Sequence, residues 1–142
     1  SIVSPVSGGG LLSGSLLAAK NMNSAITVYG AEPEEADDAY RSLKLGKIVP
    51  NKTINTICDG LRAQIGTKTF PVIQSLVDDI IPVSEEDIIN ALRMIWERLK
   101  IIVEPSCSIA LAMVINNKDL FKDQNVGLIM SGGNIDLKKL PW

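Results

Sequence analysis

Three times along this chain a short apolar run of strand length gives way, across a turn, to apolar residues at helical spacing. That alternation limits the possible folds more than any other feature. The first unit runs from Ser1 to Val6, breaks at Ser7-Gly8-Gly9-Gly10, and continues as a helix from Leu11 to Met22 with Leu12, Leu16 and Ala19 on one face. The second joins a strand over Ile26 to Ala31, bounded by Pro33, to a helix from Ala36 to Leu45 that Gly46 stops. The third joins Val77 to Val83 to a helix that Ser84 caps, with Glu85, Glu86 and Asp87 in the first turn where the helix dipole favours them. That helix is expected to run to about Lys100, its stripe of Ile88, Leu92, Ile95, Leu99 and Ile102 packing into the core. Pro105 fits the first turn of a further helix through Ile115, and Val126 to Met130 reads as a last buried strand. Residues 47–68, punctuated by Pro50, Asn51, Asn55, Gly60 and Gly66, form the expected long loop.

Parallel strands need crossover connections, and helices are the usual ones, so the expected fold is α/β: three layers, a mostly parallel sheet with flanking helices. In such sheets ligands bind beyond the carboxyl ends of the strands. Both glycine clusters, Ser7 to Gly10 and Ser131 to Gly133, fall at such ends.

Composition removes several chemistries. The 142 residues include no histidine, which excludes histidine-based triads, dyads and metal sites. Two cysteines, Cys58 and Cys107, are too few for a disulfide framework or a thiolate zinc site, and their apolar settings suit a reducing, cytoplasmic location. Fourteen basic and sixteen acidic residues leave a net charge of -2, which gives no reason to expect a nucleic acid partner. The chain has neither an export signal nor an apolar run of about 18 residues, so no membrane partner is expected.

Three glycines ahead of a helix remove every Cβ from the turn, so successive N–H groups and the helix dipole can receive an anion. A phosphate is the natural ligand. Neither nucleotide fingerprint fits: no G-x-x-x-x-G-K-[ST] is present, and Ser7 to Gly14 offers only an off-register G-x-G-x-x-G. Ser131 has no histidine to activate it, so it reads as a hydrogen-bond partner rather than a nucleophile. A phosphate cradle with a hydroxyl facing a heterocyclic nitrogen points to an aromatic phosphorylated cofactor.

These segments resemble a known family, the fold type II pyridoxal phosphate enzymes, in the branch of serine racemase, threonine dehydratase and threo-3-hydroxyaspartate dehydratase. The resemblance rests on six stretches in the family's order: Ser4 to Gly14, Tyr29 to Asp38, Thr56 to Gly60, Thr69 to Ile73, Val103 to Ser106 and Met130 to Asp136. It implies that Ser7, Gly8, Gly9, Gly10 and Leu11 hold the phosphate of pyridoxal 5'-phosphate, with the Ser7 hydroxyl either adding a contact or narrowing the loop. It implies that Ser131 bonds the pyridine nitrogen beside Gly132, and that Asp59, Gly60 and Glu104 line the cavity. Glu32, the carbonyl of Ala36, and Asp38 match the family's ligands for a divalent cation, Mg²⁺ or Ca²⁺ by their oxygen donors. Glu34, Glu35 and Asp37 are expected to face solvent.

The family's Schiff-base lysine motif, its substrate loop and its small domain have no counterpart here. The resemblance therefore covers the carboxyl-terminal part of the pyridoxal phosphate-binding large domain, with residues 1–142 as one unit. Two functions follow. The first is a portion of a hydroxyamino acid ammonia-lyase or racemase acting on serine, threonine or 3-hydroxyaspartate, inactive alone and completed by an amino-terminal half or a homodimer. The second is a noncatalytic fragment that binds phosphate, free pyridoxal phosphate or a divalent cation.

Overall fold

The computed structural model describes all 142 residues. Four strands, β1 (Ile2–Pro5), β2 (Val28–Pro33), β3 (Asp79–Val83) and β4 (Gly127–Leu128), form one sheet in the order β3-β2-β1-β4. Every pairing is parallel, as the alternation requires. Five helices connect them: α1 (Gly10–Met22), α2 (Asp38–Leu45), α3 (Phe70–Leu76), α4 (Glu85–Leu99) and α5 (Pro105–Asn116).

Side chains alternate across the strands, and each face of the sheet builds its own core. On one face Val6, Val28 and Ile80 pack against Leu12 and Leu16 of α1, Ala39 of α2, and Phe70 and Ile73 of α3. On the other, Val3, Ala31 and Val83 pack against Ile88 of α4 and Ile109, Ala110 and Met113 of α5. Three layers result. Gly30 in β2 allows the close approach of α1, since a Cβ there would lie 3.0 Å from Leu12 Cδ2 and 3.1 Å from Ile80 Cγ1.

The expected elements shift at their ends for local reasons. Helix α4 starts as expected, with Ser84 Oγ accepting from the Asp87 N–H, but it ends at Leu99 because Lys100 turns left-handed at φ 60. Ile102 is thereby carried outside the helix, so Leu99 and Ile102, expected in the core stripe, are 58% and 56% exposed. The expected second helix opens as a 3-10 turn over Glu34–Ala36 before α2. The last strand shrinks to the edge pair Gly127–Leu128, with Gly127 exposed, and these two residues alone register with Ile2 and Val3 of β1. Helix α3 has no counterpart in the sequence periodicity. No helix is long and apolar enough to cross a membrane.

β1 lies between β2 and β4, so the chain leaves it in one direction early and returns on its other side at the end. That reversal is the topological switch point at which open α/β sheets bind ligands. The two glycine clusters follow β1 and β4, which are neighbours.

Candidate active site

The loop after β1 is built around one left-handed residue. Gly9 has φ 86 and ψ 0, and a Cβ on it would stand 2.7 Å from Ile65 Cδ1 and Thr69 Oγ1 and 2.8 Å from Ile73 Cδ1. Glycine is required there by both conformation and space. Helix α1 begins immediately afterwards, its first bond running from the Ser13 N–H to the Gly9 carbonyl at 2.9 Å. No side chain caps this end, and no acidic residue stands in the first turn. The backbone N–H groups of residues 7–12 donate to no backbone carbonyl. Unspent donors at a helix start favour a bound anion.

A cavity of about 290 Å³ opens over these amides. Ser7, Gly8, Gly9, Gly10, Leu11, Gly60, Glu104 and Ser131 all line it, which brings both glycine clusters to one space. Ser131 is exposed and lines the same cavity from the segment that follows β4. Gly132 sits behind it against Glu104: its carbonyl accepts from the Glu104 N–H at 3.2 Å, and a Cβ would fall 2.7 Å from Glu104 Oε1. Glu104 Oε2 also accepts from the Asn134 N–H at 2.9 Å. The carboxylate thus holds the Ser131 turn in place.

Two placements differ from expectation. The Ser7 hydroxyl donates to the Ala63 carbonyl and accepts from the Ala63 N–H, each at 3.0 Å, so it fastens the loop to residue 63 instead of contacting a phosphate or narrowing the loop. Asp59 is exposed in a separate depression beside Ile57 and Asn134, because the 3-10 turn Asp59–Leu61 presents Gly60 to the cavity and Asp59 away from it. Ser106 is a lining residue that the sequence reading did not single out: its buried Oγ accepts from the Gly60 N–H at 3.1 Å. Its position just after Pro105, in the first turn of a helix that begins beside the cavity, is the signal that could have found it.

Neither thiol is available for chemistry. Burial pushes Cys58 up to about 12. Burial also raises Cys107, against the pull of hydrogen bonds from the Gly132 and Ser131 amides. Both stay protonated near neutrality.

A second polar centre lies at the carboxyl end of β2. Glu32 is 0% exposed, and its Oε1 and Oε2 accept from the N–H groups of Ala39 (2.9 Å) and Tyr40 (2.7 Å), so it caps α2 from the sheet. Burial nevertheless pushes its pKa up to about 8. Asp38, 1% exposed, accepts from the Ile65 N–H at 2.7 Å through Oδ2, while its buried Oδ1 has no partner. Burial raises its pKa as well. No group of three or more His, Cys, Asp or Glu side chains is placed to hold a metal ion, so a cation here would complete its shell from carbonyls and water. Of the neighbouring acids, Glu34 is exposed, but Glu35 and Asp37 are half-buried, and Asp37 is paired with Arg41 at 2.7 Å.

The family model described as "Pyridoxal-phosphate dependent enzyme" matches residues 1–132. The chain belongs to the pyridoxal-phosphate dependent enzyme family. Within it, the chain is 48% identical over 144 residues to serine racemase of Arabidopsis thaliana, covering 98% of this chain and 44% of that protein. It is 40% identical to the beta-hydroxyaspartate dehydratase of Paracoccus denitrificans, covering 99% of this chain and 45% of the relative. The crystal structure of the T.th. threonine deaminase superposes with a TM-score of 0.91 at 41% identity, covering 95% of this chain and 44% of that one. The chain therefore spans less than half the length of these relatives. The family's cofactor fits what is built here: undonated amides at an uncapped helix start suit a dianionic phosphate, and a hydroxyl stands across the same cavity.

Proposed function

We propose that this chain is the phosphate-gripping portion of a pyridoxal phosphate-dependent ammonia-lyase or racemase for a small hydroxyamino acid, serine, threonine or 3-hydroxyaspartate. The observation that carries the reading is that residues 7–12, whose amides meet no backbone carbonyl, line one cavity with Ser131. The names of the relatives give the substrate class.

When bound, pyridoxal phosphate supplies an electron sink for breaking bonds at a substrate's α-carbon. This chain's part is to hold and orient it. The amides of Ser7 to Leu11 would hold the phosphate, aided by the positive end of α1. Ser131 would offer a neutral hydroxyl to the ring nitrogen, and Gly132, Gly60 and Glu104 would shape the wall around it. None of the residues lining the cavity is a lysine, so the reactive amine comes from chain outside this span. A cytoplasmic setting goes with the two free, buried cysteines.

Glu32, Asp38 and the Ala36 carbonyl would hold Mg²⁺ or Ca²⁺. The support is the buried Asp38 Oδ1 that lacks a partner, beside a second buried carboxylate. Two carboxylates and a carbonyl are hard oxygen donors of the kind those ions take.

A noncatalytic reading, in which the chain binds phosphate or free pyridoxal phosphate without turnover, draws on the lysine-free cavity. A fluorescence titration with pyridoxal phosphate, with and without Mg²⁺, tests the shared part of both readings. Gly9→Asp is expected to abolish binding and Asp38→Ala to remove only the Mg²⁺ response; tight binding by Gly9→Asp would refute the site. Adding a lysine-bearing amino-terminal segment of a relative then separates the two, since only a split enzyme gains lysine-dependent visible absorbance.

A further inference from the structure

A threonine at the start of a helix ordinarily turns its oxygen inward to accept from the helix's own second or third N–H. Thr69 precedes α3 and makes no such bond. Pro71 removes one of the amides it would cap. Its hydroxyl instead reaches the Gly8 carbonyl at 2.6 Å, far closer than its other acceptor, the Gly66 carbonyl at 3.1 Å. The Gly66 N–H donates to the same Gly8 oxygen at 3.1 Å, so both lone pairs of that carbonyl are engaged from one side.

The chain has no cis peptide, and in a trans peptide the N–H lies opposite the C=O. Fixing the Gly8 carbonyl toward Thr69 and Gly66 therefore fixes the Gly9 N–H in the opposite direction, away from the protein side of the loop. The next peptide is fixed by the helix, because the Gly9 carbonyl accepts from Ser13. Glycines flanking a peptide let it rotate easily. Without the Thr69 hydroxyl, the Gly8–Gly9 plane is held by a single 3.1 Å bond.

We infer that Thr69 is a positioning residue that sets the Gly8–Gly9 peptide so that the Gly9 amide faces the phosphate. The inference rests on the phosphate role given to the loop above, and it adds a residue outside the loop that decides whether the loop is competent. Thr69 touches neither phosphate nor substrate; it acts through Gly8.

The test measures affinity for inorganic phosphate and for pyridoxal phosphate in the 142-residue chain and its variants. Thr69→Val keeps the shape and removes the donor, and is expected to weaken both ligands roughly tenfold. Thr69→Ser is expected to restore most of the loss. Ser13→Ala removes a bond to the Thr69 carbonyl (3.3 Å) but leaves the Gly8 carbonyl held, and is expected to leave phosphate affinity unchanged. Equal phosphate affinity in wild type and folded Thr69→Val, or no recovery in Thr69→Ser, would overturn the inference. If Thr69→Val does not fold, the unmodified chain decides: a Thr69 hydroxyl proton protected from exchange and coupled through its hydrogen bond to the Gly8 carbonyl carbon is expected with phosphate bound, and its absence refutes the clamp. If wild type binds neither ligand, the functional reading itself fails, an outcome distinct from loss in the variants alone.

Discussion

At Gly9 the backbone is left-handed and three side-chain atoms occupy the space a methyl group would need. Gly9→Ala is therefore expected to cost roughly 2–4 kcal/mol of stability and to displace the loop. Urea denaturation checks it; a change within about 0.5 kcal/mol, in the range of a neutral surface substitution, would mean that the loop relaxes freely. The sequence made this residue's importance legible, because three glycines between a strand and a helix exceed what a turn requires. It did not make Thr69 or Ser106 legible, since they act through hydrogen bonds to residues 61 and 46 positions away. Ser7 shows the same limit: its hydroxyl is fastened to Ala63, a partner no local pattern indicates.

Among elements, those whose signal is local are legible in the sequence and those set by neighbours are not. The Ser84 cap is local, with its Oγ accepting from Asp87 N–H and donating to Asp87 Oδ2 at 2.6 Å. Ser84→Ala is expected to cost about 1 kcal/mol, measured by thermal or urea melting. Helix α3 escapes the periodicity because it has only seven residues, among them Pro71, Val72 and Ile73, which read as readily as strand or turn. Its existence depends on packing of Phe70 and Ile73 against α1 and the sheet. Strand β4 reads longer than it is because apolar residues continue to Met130 while only Gly127 and Leu128 find a pairing partner. For α2, the resemblance marks Glu32 as a cation ligand, whereas its part as the buried cap of the helix needs the structure.

Across the whole molecule the acidic pair makes stability depend on pH. The unfolded chain releases the Glu32 proton near 4.5, but the folded chain holds it to about 8, so in cation-free buffer folding takes up a proton between those values. Stability is expected to fall as pH rises through that window, with Asp38 contributing in the same direction. Mg²⁺ needs the ionised carboxylates, and so should flatten the slope. Melting curves at several pH values, with chelator and with Mg²⁺, check both statements; stability that rises across the window without cation would refute the first.

The three-layer fold is readable from alternation, and an exposed sheet edge or apolar patch is expected from the missing half, but where that surface lies needs the structure. Ile2, Ala18, Met22, Ile26, Leu128 and Ile129 line an apolar groove of about 390 Å³ between α1 and the β4 edge, and Met22 is 84% exposed. Such an edge favours association. The chain is expected to self-associate in light scattering, and Met22→Glu to reduce it.

Main-chain amides receiving the phosphate are the central feature of the proposed site. Amide chemical shifts of the isotopically labelled chain, followed while inorganic phosphate and then pyridoxal phosphate are added, address that directly. The predicted result is saturable shifts concentrated at Gly8 to Leu11 with both ligands, and at Ser131 only with pyridoxal phosphate. Shifts confined to surface lysines, with residues 8–11 unmoved, would contradict it.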